Sequence, residues 1–136
     1  MRDKLILARR HWQAMRRHAA RCAPLEACGL LAGKGDRVQA VLSLANATQS
    51  PFRFRMEPGE QLQAFNRIEA RGLELIGIYH SHPAGPESPS PTDVAEAAYP
   101  VVHVVWSPQG GRWQARGFWI EDGQVFPVTL QSDYSE

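Results

Sequence analysis

Two histidines one residue apart, His80 and His82, are followed by Ser90 and Asp93 in the run HSHPAGPESPSPTD, a spacing of H-x-H-x7-S-x2-D. In an extended segment side chains alternate between faces, so residues two apart project together and both imidazoles can reach one ion. Asp93 adds a carboxylate. Two nitrogens and one oxygen fill three tetrahedral positions and leave the fourth to water, the arrangement of hydrolytic zinc. Magnesium and calcium prefer oxygen shells, so the donor set favours one Zn2+ per chain. A lone histidine at a strand end is more often a packed core residue; the pair, with the S-x-x-D step behind it, reads as a metal site.

The flanking residues say how such a site would be held. The apolar run Leu73, Leu75, Ile76, Gly77, Ile78, Tyr79 predicts a buried strand that presents His80 and His82 at its C-terminal end. Pro83, Gly85, Pro86 and Pro89 exclude a helix and predict a stiff loop. A helix then starts, with Ser90 as N-cap, Pro91 in the first position and Asp93 in the first turn, from which its carboxylate can turn back toward the histidines.

The rest of the chain supplies a frame. Residues 4–8 predict a strand and residues 10–21 a helix whose Trp12, Met15 and Ala19 face the core, with His11 and His18 off that stripe and on the surface. Strands follow at 29–32 and 38–45, joined by the hairpin turn Gly33-Lys34-Gly35-Asp36, which lacks the pattern of a phosphate loop. Residues 51–55 alternate apolar with basic, and Pro58 opens a helix carrying Leu62, Phe65 and Ile68 inward. Residues 101–106, 113–120 and 124–128 predict three more strands, with His103 a core or sheet-face residue in the first. The expected organisation is one α/β domain over residues 1–130, followed by a polar, frayed tail at 131–136.

Composition narrows the function classes. The 136 residues are 43% hydrophobic and 21% charged, average for a folded soluble chain, and the formal net charge of +1 argues against nucleic acid as the main partner. Charge is uneven: residues 1–22 carry Arg2, Lys4, Arg9, Arg10, Arg16, Arg17 and Arg21 against Asp3 alone, which reads as a solvated helix face or a docking surface for an acidic protein. Two cysteines, Cys22 and Cys28, make no disulfide framework, and with neither a signal peptide nor a long apolar run the expectation is a cytoplasmic protein, away from membranes, with reduced thiols. Cys28 reads as a small buried thiol.

The segment Pro24-Leu25-Glu26-Ala27-Cys28-Gly29-Leu30-Leu31-Ala32-Gly33, taken with the downstream H-S-H-P and S-x-x-D steps, resembles the JAMM (MPN+, JAB-domain) zinc metallopeptidases over nearly the whole chain. That resemblance implies a single JAMM/MPN domain: a curved mixed β-sheet packed between α-helices, a cytidine-deaminase-like sandwich. It implies that His80, His82 and Asp93 bind zinc, that Glu26 is the base assisting attack of zinc-bound water, and that Ser90 helps stabilise the oxyanion. From spacing alone Glu26 would read as an exposed glutamate. The compact chain is similar to the small stand-alone prokaryotic members, which implies an (iso)peptidase cleaving the amide bond after the C-terminal Gly-Gly of a ubiquitin-like or sulfur-carrier protein. The tail of such a partner could add to a free sheet edge, for which residues 52–55 are the candidate.

Other readings share these residues. A non-catalytic MPN scaffold would use the fold for assembly, although such proteins usually lack a site residue and none is missing here. A deubiquitinase-like enzyme would need insertions for which the chain has little room. A RadC-like DNA-associated protein shares H-x-H-P-x-G, yet no helix-hairpin-helix segment precedes it here. A zinc deaminase is excluded because its P-C-x-x-C pair is absent.

Overall fold

The computed structural model describes residues 1–133. Seven strands and three helices follow in the order β1 (Lys4–Ala8), α1 (Arg9–Cys22), β2 (Cys28–Lys34), β3 (Arg37–Leu44), α2 (Pro58–Ala70), β4 (Glu74–Ser81), α3 (Pro91–Glu96), β5 (Val102–Gln109), β6 (Arg112–Glu121) and β7 (Gln124–Asp133). The sheet is mixed, ordered β1-β3-β2-β4-β5-β6-β7, and it closes on itself because β1 pairs with both β3 and β7. The α/β class and its curved mixed sheet are as expected, with curvature carried through to closure. Among the described residues no helix is long and apolar enough to cross a membrane.

Strand alternation sends side chains to two apolar clusters. Leu31, Tyr79, Val102, Val104 and Trp106 join Met15 and Ala19 of α1 in one. Leu30, Ile78 and Val101 join Ala64 and Ile68 of α2 in the other. β4 lies between β2 and β5 and is buried from Ile76 to Ser81, which explains its unbroken apolar sequence. Its even-numbered residues Ile78 and His80 therefore face the α2 side, beside His103 and Val105 of β5.

The helices differ from expectation in which face they bury. His11 and His18, expected on the surface, are buried with Met15 and Ala19 in a stripe of helical period. Burial is tolerated because each imidazole is partnered: His11 Nδ1 accepts the Ala8 N–H at 3.1 Å, and His18 Nδ1 lies 2.7 Å from the Tyr79 hydroxyl. In α2, Glu57 caps the start by accepting from the Gly59 and Glu60 N–H groups, and Ala64 and Ile68 face inward while Leu62 is 62% exposed. The strand expected at 124–128 runs on to Asp133, because Gln131, Ser132 and Asp133 pair with Ile6, Leu7 and Ala8. Those three residues belong to the sheet rather than to a frayed tail, and the remainder of that expected tail, residues 134–136, lies outside the described residues.

Candidate active site

The C-terminal end of β4 carries the two histidines. His80 sits between Cys28 of β2 and Val105 of β5. Just beyond the strand, the His82 N–H donates to the Trp106 carbonyl at 2.7 Å, so the second imidazole is held by the same parallel pairing. Ser90 caps α3, accepting the Asp93 N–H through Oγ at 3.0 Å, while the Asp93 carboxylate accepts the Ser90 N–H at 2.8 Å. This reciprocal cap is what the S-x-x-D step builds. It turns Asp93 inward: Oδ2 lies 3.0 Å from Nε2 of His80 and 3.0 Å from Nε2 of His82, which are themselves 3.1 Å apart. His80 is 1% exposed and His82 3%.

Glu26 arrives from the other side of the sheet opening. Ser81 Oγ accepts the Ala27 N–H at 2.8 Å and the Ser81 N–H donates to the Ala27 carbonyl at 3.0 Å, fastening the residue after Glu26 to β4. Asn46 adds a bond from its side-chain amide to the Glu26 carbonyl at 3.1 Å. Glu26 is 2% exposed, not the exposed glutamate its spacing alone would give. One carboxylate oxygen, Oε1, is buried without a partner, and one ligand atom from each of Glu26, His80 and His82 lies within 4.8 Å of the others. Burial raises the Glu26 pKa to about 7, with His82 opposing and Asp93 adding to the shift.

Whether these residues fit a metal follows from their hydrogen bonds. His82 Nδ1 lies 2.8 Å from the Pro86 carbonyl, which can only accept, so Nδ1 carries the proton. The neutral ring then aims its Nε2 lone pair at a carboxylate oxygen and at a second imidazole nitrogen. Three potential ligand atoms converge at 3.0–3.1 Å; with Nε2 of His82 bare, the space between them takes either the Nε2 proton of a neutral His80 or a cation. Bonds of about 2.0–2.1 Å around a tetrahedral centre space donors about 3.3–3.4 Å apart, a few tenths more than seen here. A backbone carbonyl on the far nitrogen of a ligating histidine is also a usual outer support. His80, His82 and Asp93 could hold a zinc ion. Glu26, farther away, stands on the rim of the same space.

A comparison with protein families matches residues 8–119 to the prokaryotic homologs of the JAB domain. The chain belongs to that family. Within it, the chain is similar to the CysO-cysteine peptidase of Mycobacterium tuberculosis, 39% identical over 127 residues that cover 89% of this chain and 87% of that one. It is also similar to the probable TtuB-protein conjugate cleaving protease of Thermus thermophilus, 38% identical over 116 residues covering 85% of this chain and 75% of the relative. Among solved structures, a solution structure of a Desulfitobacterium hafniense protein matches with a TM-score of 0.85 at 33% identity, covering 95% of this chain and 92% of that chain. A JAB1/MPN domain protein from Archaeoglobus fulgidus shares the fold at a TM-score of 0.59 and 17% identity, covering 93% of this chain and 97% of that chain.

In this JAB domain the His80–His82–Asp93 cluster opens into a cleft of about 700 Å3, bordered by Arg53, Phe54, Met56, Tyr99 and His103. Phe54 stacks on His80 with ring centroids 4.6 Å apart, shielding the imidazole. Residues 52–55, the candidate edge, border this cleft through Arg53, Phe54 and Arg55. The Arg53 carbonyl accepts from Asn46, the Arg55 carbonyl accepts the Ala47 N–H, and the Arg55 N–H donates to Asn46, so one side of the segment is tied to residues 46–47. The sheet closes through β1, which meets β3 at a single register pair, Ile6 with Arg37. Cys28 is a packed thiol, its pKa pushed up to about 12 by burial. Ser81 and the Pro86 carbonyl were not singled out in the sequence as site residues, and Phe54 only as part of the candidate edge at 52–55. Ser81 could have been found from the parity rule, since a polar residue between two ligands must point away from them.

Proposed function

We propose that this chain is a zinc-dependent (iso)peptidase that hydrolyses the amide bond after the C-terminal Gly-Gly of a ubiquitin-like or sulfur-carrier protein. The observation that carries the proposal is the convergence of three potential ligand atoms from His80, His82 and Asp93 beside Glu26, whose Oε1 is buried without a partner. Two relatives carry peptidase names, one a CysO-cysteine peptidase and one a probable TtuB-protein conjugate cleaving protease, which supports a hydrolase of this kind. His80, His82 and Asp93 are the ligands in this reading. When bound, zinc supplies Lewis acidity, which makes water acidic near neutral pH and polarises the scissile carbonyl. Glu26, its basicity lifted by burial, takes the proton from the attacking water and returns it to the departing amine. Ser90 Oγ already accepts the Asp93 N–H, which leaves its O–H to donate to the developing oxyanion.

The test is metal content by native mass spectrometry together with cleavage of Gly-Gly fusions. Wild type should carry one zinc and cleave. A His80→Ala, Asp93→Ala double variant should lose both properties, and Glu26→Gln should keep zinc and lose turnover. A folded wild type that takes up no zinc, or a Glu26→Gln variant as active as wild type, would sink the reading.

A further inference from the structure

The mechanism above makes no use of His103, whose surroundings are unusual for an idle residue. It lies on β5 directly beside Ile78, on the sheet face that carries His80. It is 6% exposed, and its Nε2 is buried without a hydrogen-bond partner. Burial, with His80 adding to it, lowers its pKa to about 4, so the ring is neutral at physiological pH. Neighbouring positions on the same face, Ile78 and Val105, are aliphatic. A buried polar atom left unpaired destabilises a fold, and an aliphatic side chain would fill the same place without that penalty. His103 nonetheless borders the cleft beside the metal cluster, together with Phe54, Met56, Ile78 and Tyr99.

An extended peptide tail in that cleft would need main-chain partners. A glycine tail has no side chains to offer, so its recognition falls to its peptide groups. The bordering residues Met56, Ile78 and Phe54 are apolar. Among the described residues, the cleft-lining side-chain polar atoms left buried and unpartnered are Nδ1 of His80, on a ring already engaged with His82 and Asp93, and Nε2 of His103.

We infer that His103 is a substrate-binding residue, whose Nε2 hydrogen-bonds the main chain of a glycine-terminated tail lying between Phe54 and Tyr99. This rests on the peptidase reading of the same site and adds a specificity element to it. The tautomer decides the partner: an Nε2–H donates to a tail carbonyl, and a bare Nε2 accepts a tail N–H.

The test uses the zinc-loaded full chain with His103→Leu, which removes the polar atom, and His103→Gln, whose amide reaches about as far as Nε2. The readouts are kcat and KM on a Gly-Gly fusion, thermal midpoint, metal content, and binding of a short synthetic peptide ending in Gly-Gly to Glu26→Gln protein with and without His103→Leu. His103→Leu should lower kcat/KM about tenfold or more, mainly through KM, and weaken peptide binding to match. Its zinc content should be unchanged and its thermal midpoint equal or higher, since an orphan polar atom has gone; His103→Gln should recover most of the loss. Kinetics and peptide binding within twofold of wild type for His103→Leu would overturn the inference. So would equal losses in both variants accompanied by a lower thermal midpoint, which would mark a packing role. If wild type cleaves no fusion, the peptidase reading fails by itself, and the peptide-binding comparison still decides the case for His103.

Discussion

The ring of Tyr79 lies across Gly29 so closely that a Cβ at residue 29 would stand 2.2 Å from its Cε2 and 2.6 Å from the Leu42 carbonyl oxygen. The ring cannot swing away freely, because its hydroxyl is bonded to His18 at 2.7 Å and Ser43 at 3.0 Å. The contact sits one register step from the Cys28–His80 pair, between the strand that follows Glu26 and the strand that leads to His80 and His82. Gly29→Ala should therefore destabilise the fold by about 3 kcal/mol or more, as overpacking against backbone does at its worst. Denaturant unfolding measures this, and a loss below about 1 kcal/mol would show that the two strands can part without strain.

Ser81 makes a second cross-link between those strands. Its hydroxyl takes the Ala27 N–H, where an uninterrupted antiparallel ladder would have used a backbone carbonyl. Ser81→Ala leaves that N–H buried and unpaired, at about 1–3 kcal/mol. Because Ala27 follows Glu26, turnover should fall further than stability explains while zinc content holds. Full activity in a folded Ser81→Ala protein would mean that Glu26 is positioned by other contacts.

Glu26 also makes stability depend on pH. Its pKa is about 7 in the folded protein against 4.5 for an ordinary glutamate, so between those values the folded state binds more protons than the unfolded one. Its contribution is therefore favourable below about pH 4.5 and lost as pH rises through about 7. Glu26→Gln removes that loss. In metal-free protein the variant should gain on wild type with rising pH, by up to about 3 kcal/mol for a shift of this size. Unfolding free energies measured across this range would show a pH-independent difference if burial did not raise the pKa.

Metal removal should act on stability through the same cluster. Zinc that binds only folded protein adds about 4 kcal/mol when its free concentration is about 1,000 times Kd. Chelation should lower the thermal midpoint of wild type by several degrees and leave that of the His80→Ala, Asp93→Ala variant unmoved. Equal midpoints with and without chelator in the wild type would argue that nothing binds there.

The cluster was legible in the sequence because each step is local: two residues of strand place His80 and His82 on one face, and a three-residue cap turns Asp93 back. The reciprocal Ser90–Asp93 bonds follow the same logic. Glu26 was legible only through a family pattern, because its approach depends on β2 pairing with β4 across more than fifty residues. His11 and His18 were misplaced because polarity was taken to mean surface, whereas their partners, the Ala8 N–H and the Tyr79 hydroxyl, make burial tolerable. Residues 52–55 alternate like a strand, and Asn46 ties down the Arg53 carbonyl and the Arg55 N–H from outside the segment, information that no periodicity contains.

Closure of the sheet has a consequence for how the molecule is assembled. β1 is the first element in the chain, and it is sealed between β3 and β7, with Lys4 beside Thr129 and Ala8 beside Asp133. During synthesis β2 to β5, with both histidines, emerge while β1 still lacks its longer neighbour. Pairing across so much chain is slow, and an unsatisfied strand edge is prone to join the wrong partner. The step that completes the barrel therefore waits for β7 to emerge, and the crowded interval before it is when this protein is most exposed to misassembly.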